Sequence, residues 1–235
     1  MLKTQFTLTE KRQLTHDVYE LTYVCPDMTK EYPKPWQYVM FQLAPGLNRA
    51  YSIASFEGDT FTLIIKRIAD GRGSPIICDA DVGTVFSGML PLGHFVLQDN
   101  TRTKCFIGTG TGFAPLYCQA LEHSMRWEKS EKIAFVFWVR NLEDSFYESE
   151  ILELSQSFED FEYVQYFSRV SDFSTKNQIL NTEYSSWYVT DWLTPERVAE
   201  YKEYYICGSP AMVKSAREKL EALGVAKEDI FWEQY

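Results

Sequence analysis

Residues 105–116, CFIGTGTGFAPL, pass from a short apolar run through Gly108, Gly110 and Gly112 into a helix-forming segment. Strand, glycine loop and helix in that order form the repeating unit of parallel α/β sheets. The glycines, with Thr109 and Thr111 between them, let the backbone turn tightly and come close to a ligand. The start of the following helix then offers unpaired N–H groups and a positive dipole end to a phosphate. The spacing is not G-x-G-x-x-G, and the next apolar run ends in Val139-Arg140 where an acidic ribose reader would stand. By itself the loop also reads as a tight turn between strand and helix.

Downstream, the alternation continues. KIAFVFWV (132–139) is an unbroken apolar run, as strands buried on both faces are. FEYVQYF (161–167) and YYICG (204–208) read as further strands, and DIFWEQY (229–235) as a last one. Residues 114–127, 146–158 and 210–224 read as helices, the third with Pro210 at its start and Gly224 past its end. This predicts a doubly wound parallel sheet. Gly108–Gly112, VRN (139–141), SRV (168–170) and CGSP (207–210) all fall at carboxyl ends of its strands, where such sheets bind ligands.

Upstream, the periodicity is different. YELTYVC (19–25), YVMFQLA (38–44), RAYSIAS (49–55), TFTLIIKRI (60–68), TVFSGML (84–90) and FVLQ (95–98) are short β-branched or aromatic runs between turn residues. Such spacing predicts an antiparallel barrel or sandwich. A short helix is expected at SPIICDA (74–80), with Ser74 as its cap. The boundary is placed in the polar stretch around residues 99–103, giving domains 1–100 and 101–235. RAYSIAS sets a guanidinium, a flat ring and a hydroxyl within four residues, which a ligand with an anionic part, a planar part and a polar edge would use.

Composition narrows the field. With 23 Lys and Arg against 33 Asp and Glu, the net charge of −10 argues against nucleic acid as a partner. Five scattered Cys without C-x-x-C and three distant His give no zinc, iron–sulfur or hydrolytic signature. No run approaches a membrane span, and a cytoplasmic protein with free thiols is expected.

In motif order the chain resembles the ferredoxin–NADP(+) reductase superfamily: R-x-Y-S at 49–52, KRIADGRGSP at 66–75, PLGHF at 91–95, GTGTGFAP at 108–115, YYICGSPAMV at 204–213 and FWEQY at 231–235. The resemblance implies an antiparallel Greek-key barrel that binds FAD, followed by a doubly wound NAD(P)-binding domain. In it Arg49 would pair with the FAD pyrophosphate, Tyr51 would stack on the isoalloxazine, and Ser52 would bond near flavin N5, with Ala50 between them. Lys66, Gly71, Gly73 and Ser74 would form the second flavin segment. Gly108, Thr109, Gly110, Thr111 and Gly112 would cradle the nicotinamide dinucleotide. Cys207, Gly208 and Glu233 would lie where nicotinamide meets flavin, making Ser52, Cys207 and Glu233 the candidate catalytic residues. Tyr235 would cover the flavin face, and His94 would be structural.

The activity so implied is hydride transfer from NAD(P)H to FAD, with electrons passed to a separate redox protein such as ferredoxin, flavodoxin or an oxygenase component. Arg140, Ser168 and Arg169 suit a 2′-phosphate and tilt the reading to NADPH over NADH. Lys66, Arg67 and Arg72 would supply a basic patch for an acidic partner. Two alternatives stand beside this: an NAD(P)H:flavin reductase that uses free flavin as substrate, and a non-catalytic FAD-binding electron-transfer subunit.

Overall fold

The computed structural model describes residues 1–35, 37–95, 97–126, 129–170, 183–185 and 188–235. They divide into two compact units, residues 1–97 with 117–119, and residues 98–116 with 120–235.

The first unit is a closed barrel of β1 (Leu2–Gln13), β2 (Val18–Val24), β3 (Tyr38–Ala44), β4 (Leu47–Glu57), β5 (Thr60–Lys66) and β6 (Val85–Leu92). Around the barrel the order is β1-β2-β5-β4-β3-β6, and every pairing is antiparallel. Alternation turns Phe6, Tyr23, Phe41 and Phe61 inward, each at most 1% exposed. Their rings pack edge-on or stacked at 4.8–5.6 Å. Helix α1 (Ser74–Cys78) packs its buried Ile77 and Cys78 onto this core.

The second unit is a six-stranded, wholly parallel sheet of β7 (Lys104–Thr109), β8 (Lys129–Val139), β9 (Phe158–Phe167), β10 (Glu183–Ser185), β11 (Glu203–Gly208) and β12 (Ile230–Gln234). Its order is β10-β9-β8-β7-β11-β12. Helices α2 (Phe113–Arg126), α3 (Glu148–Ser155), α4 (Pro195–Glu200) and α5 (Pro210–Ala222) cover both faces. Cys105, Ile107, Ala134, Val136 and Ile206 meet Val198, Met212 and Leu220 of α4 and α5 on one face. Phe106, Phe135 and Phe137 look the other way, the last two onto Phe113 of α2. This two-sided burial is why β8 reads as an unbroken apolar run. No described helix is long and apolar enough to cross a membrane.

Several expectations are corrected. Residues 95, 97 and 98 of FVLQ are not strand, and residue 96 lies outside those described, as does Trp127 of the expected helix 114–127. Phe95 and Leu97 are buried, while the Gln98 N–H donates to Tyr205 Oη at 3.0 Å. The sixth barrel strand is instead β1, whose inward Phe6 and Leu8 alternate with polar outward residues. Ser74 does not cap α1. Gly73 holds that position, and Ser74 Oγ accepts from the Ile68 N–H at 2.9 Å. His94 is exposed and makes no hydrogen bond or ion pair among the described residues.

Lys104 and Glu203, first residues of the adjacent strands β7 and β11, are register partners and at most 1% exposed. Lys104 Nζ lies 3.5 Å from Glu203 Oε2 and donates to the Asn100 and Arg102 carbonyls at 3.0 and 2.9 Å. Asn100 Nδ2, Arg102 Nη1 and the Tyr205 hydroxyl donate to the Glu203 carboxylate at 2.7, 3.2 and 2.8 Å. The amino edge of the sheet is thus filled with paired charge, and the carboxyl edge is left to glycines.

His123 of α2, buried and stacked on Phe158, supplies an acid-labile point. Burial first, and then the Lys104 ammonium, hold its pKa down to about 4. An unfolded chain takes up that proton near pH 6.5. Stability is therefore intact above that pH and falls as pH drops towards 4. The loss reaches at most about 3 kcal/mol. Thermal unfolding at several pH values should show His123→Leu losing less of its own midpoint across that window than the parent does.

Candidate functional site

On the barrel, β4 carries the R-x-Y-S residues. Arg49 and Tyr51 share one face, and Ala50 and Ser52 share the other. Tyr51 meets Phe41 edge-on at 5.7 Å. Burial pushes its phenol up to about 12, with the neighbouring Cys78 adding and Arg49 opposing. It therefore stays an uncharged ring with a donor hydroxyl at neutral pH. Ala50 is exposed opposite Met40, and Ser52 is half-buried opposite Tyr38.

The Arg49 stem lies across Gly73. A Cβ built on Gly73 would stand 2.5 Å from Arg49 Cγ, so any side chain there displaces the arginine. Two segments far apart in sequence thereby meet: the β4 cation and the start of α1. Gly71 closes the preceding turn through its N–H to the Ile68 carbonyl at 2.9 Å. Lys66 lies apart from this group, its Nζ 2.7 Å from Asp17. Arg67 is held bidentate by Asp79, both distances 2.8 Å. The expected basic patch is thus largely neutralised, and Arg72 is its exposed remainder.

In the sheet, β8 lies on one side of β7 and β11 on the other, so the chain reverses its winding at β7. That switch point is where ligands bind in such sheets. Gly108, Cys207 and Glu233 form one register row across β7, β11 and β12. The Cys207 thiol is 1% exposed, and burial drives its pKa up, which keeps it protonated. Gly112 is fixed by packing, since a Cβ there would meet the Cys207 carbonyl oxygen at 2.4 Å. Gly110 takes the left-handed conformation at φ 54. Gly208 lies against Thr109, whose Oγ1 accepts from the Ser209 N–H at 3.3 Å.

The Gly112 N–H donates to the Tyr235 hydroxyl at 2.8 Å, and that hydroxyl donates to the Thr109 carbonyl at 2.7 Å. The loop is therefore built to hold an oxygen atom. Tyr235 is placed in the 108–112 glycine loop, a contact that the sequence does not foreshadow.

Arg140, Ser168 and Arg169 are brought together. The Arg169 N–H donates to the Arg140 carbonyl at 2.9 Å, and the Ser168 N–H to the Val139 carbonyl at 3.2 Å. Both arginines are exposed. Two residues before Arg140, Trp138 forms with Tyr188, Met212 and Ser215 the wall of a cavity of about 360 Å³. The rings of Trp138 and Tyr188 are 6.0 Å apart. Sequence reasoning misses this slot because Trp138 sits inside an apolar run and Tyr188 is distant in sequence. An aromatic residue just before a strand's carboxyl end is the only signal.

The absence of a side chain at Gly73 lets the Arg49 stem pass over the start of α1, and the glycine loop already binds an oxygen. Both features fit phosphate-bearing groups.

Barrel, parallel sheet and glycine loop at the switch point define a two-module architecture of the dinucleotide-binding kind. Residues 106–218 match the oxidoreductase NAD-binding domain family. The chain is 31% identical over 209 residues to a propane 2-monooxygenase reductase component of Mycolicibacterium smegmatis, covering 86% of this chain and 59% of that one. It is 25% identical over 242 residues to a component of the Na(+)-translocating NADH-quinone reductase of Marinomonas sp., covering 95% and 58%. It thus spans under two thirds of these relatives. Its fold matches an Amycolatopsis cytochrome P450 reductase at a TM-score of 0.83 and 21% identity, covering 99% of this chain and 69% of that one. A Neisseria gonorrhoeae ferredoxin NADP+ reductase solved with FAD and NADP matches at 0.78 and 20% identity, over 99% and 98%. The chain thus has the fold of ferredoxin–NADP(+) reductases.

Proposed function

We propose that this chain is an FAD-dependent NAD(P)H reductase that hands electrons to a separate redox protein, such as a ferredoxin, a flavodoxin or an oxygenase component. The observation that carries this reading is Arg49 lying across Gly73, which sets a cation over the start of α1 where a flavin pyrophosphate would rest. Bound flavin supplies the chemistry, accepting a hydride and releasing its electrons to the partner. The protein's own residues do the holding. Arg49 and the α1 start grip the phosphates, Tyr51 offers a flat neutral face, and Ser52 offers a hydroxyl at the polar ring edge. The 108–112 loop takes the nicotinamide dinucleotide, while Cys207 and Glu233 line the nicotinamide end of the same row. The reading assigns residues 1–100 to FAD, residues 101–235 to NAD(P)H, and the whole to the cytoplasm.

The Trp138–Tyr188 slot suits the adenine ring, with Arg140, Ser168 and Arg169 beside it for a 2′-phosphate. That arrangement favours NADPH. Retention of FAD separates the reading from free-flavin reduction, because GRGSP grips the adenylate half that a free-flavin enzyme has less need to hold.

Anaerobic mixing of purified protein with NADPH, and separately with NADH, tests it. The visible flavin band should bleach, faster with NADPH. Colourless protein active only with added flavin would indicate free-flavin reduction, and retained colour without bleaching a non-catalytic subunit. In Arg140→Ala the KM for NADPH should rise by roughly 10-fold, the value of one charge-assisted hydrogen bond, with the KM for NADH little changed.

A further inference from the structure

The oxygen held by the glycine loop is the protein's own. Tyr235 receives the Gly112 N–H at 2.8 Å and gives its proton to the Thr109 carbonyl at 2.7 Å. A Cβ on Gly110 would stand 3.5 Å from the same oxygen. The backbone N–H of Tyr235 donates to the Gly208 carbonyl at 3.4 Å, tying the residue to the end of β11. Yet Tyr235 is 62% exposed overall. Apolar burial therefore does not explain its seat, because only the polar tip is engaged. Burial of that tip pushes its pKa up to about 12, so the hydroxyl remains donor and acceptor alike at neutral pH.

Gly112 supplies one of the unpaired N–H groups at the start of α2. One N–H makes one good hydrogen bond, to a phosphate oxygen or to a phenol, not to both. We propose that the Tyr235 hydroxyl is an internal competitor for the dinucleotide loop, occupying the Gly112 amide and leaving it when a ligand pyrophosphate arrives. This rests on the reading of residues 108–112 as the dinucleotide loop. The competition concerns the pyrophosphate rather than the nicotinamide, so it acts on any ligand with an ADP-ribose half. The charged phosphate oxygen makes the stronger bond and displaces the phenol. The lost phenol contacts are subtracted from the ligand's affinity.

Titration calorimetry with ADP-ribose tests this, because that probe carries the pyrophosphate and no nicotinamide. A gain in Tyr235→Phe cannot then come from uncovering a flavin face. The Kd for ADP-ribose should fall roughly 5- to 10-fold in Tyr235→Phe, which keeps the ring and removes only the hydroxyl. Hydrogen exchange of the peptide containing Thr111 and Gly112 gives a second readout. In the free protein it should speed up in Tyr235→Phe, and with ADP-ribose bound the two proteins should match. Equal Kd values for parent and variant would overturn the competitor and leave the loop reading intact. Weaker binding by the variant would also overturn it, since the hydroxyl would then assist the ligand. No binding by either protein would sink the loop reading itself, and the competitor with it.

Discussion

Protein carrying Gly73→Val should emerge from purification without its flavin, and its affinity for added FAD should be lower by at least about 100-fold. The expectation follows from one distance. The first side-chain atom at residue 73 would lie 2.5 Å from Arg49 Cγ, in the middle of the stem and not at its mobile tip. The guanidinium must then swing away from α1. On the proposed reading it takes with it a bidentate contact to the pyrophosphate, two charge-assisted bonds of about 1.5–3 kcal/mol each. Arg49→Ala should reproduce the loss by removing the cation directly. The double variant should be little worse than either single one, because both delete the same interaction. Calorimetric titration of FAD into the apoprotein reads the loss, and a thermal midpoint within a few degrees of the parent's shows that the barrel is intact. Yellow Gly73→Val protein with parental affinity would remove the main support for a flavin site at β4 and α1.

The sequence exposed some of this and concealed the rest, for physical reasons. β7, β8 and β11 were legible because burial on both faces gives each a continuous apolar run, and β9 because the buried Tyr163, Val164, Tyr166 and Phe167 outweigh the lone buried Gln165. The glycine loop was legible because few other structures need three glycines in five positions. β1 was not, because its outward face is Lys3, Gln5, Thr7 and Thr9, and two inward residues, Phe6 and Leu8, make a weak period. FVLQ was misread because a buried apolar segment need not pair as a strand. Phe95 and Leu97 are buried without it. Lys66 and Arg67 looked like free cations, but Asp17 and Asp79 answer them from elsewhere in the barrel, and composition cannot show that. The seat of Tyr235 was hidden likewise. A hydroxyl's partner is set by the register of β12 beside β11, which the local sequence does not encode.

The same limit applies to the pair that closes the sheet's amino edge, and it gives the largest stability effect expected here. Lys104 and Glu203 read as charges at strand starts, which are usually solvated, yet both are at most 1% exposed. Glu203→Leu should lower the unfolding free energy by roughly 3–5 kcal/mol, the cost of leaving the Lys104 charge buried without compensation. Lys104 keeps its carbonyl acceptors on Asn100 and Arg102, so the loss should fall nearer the lower figure. Lys104→Met should cost a similar amount, since Glu203 would retain donors from Asn100, Arg102 and Tyr205 but lose its buried cation. Combining the two should restore much of the stability, because two apolar side chains of like volume need no desolvated charge. Urea unfolding of the four proteins completes the cycle. A coupling below about 0.5 kcal/mol would mean that the two charges act independently. In that case the pair would not be what holds residues 98–103 against the sheet, and that task would fall to the Arg102–Asp229 ion pair at 2.6 Å and the Gln98 contact to Tyr205.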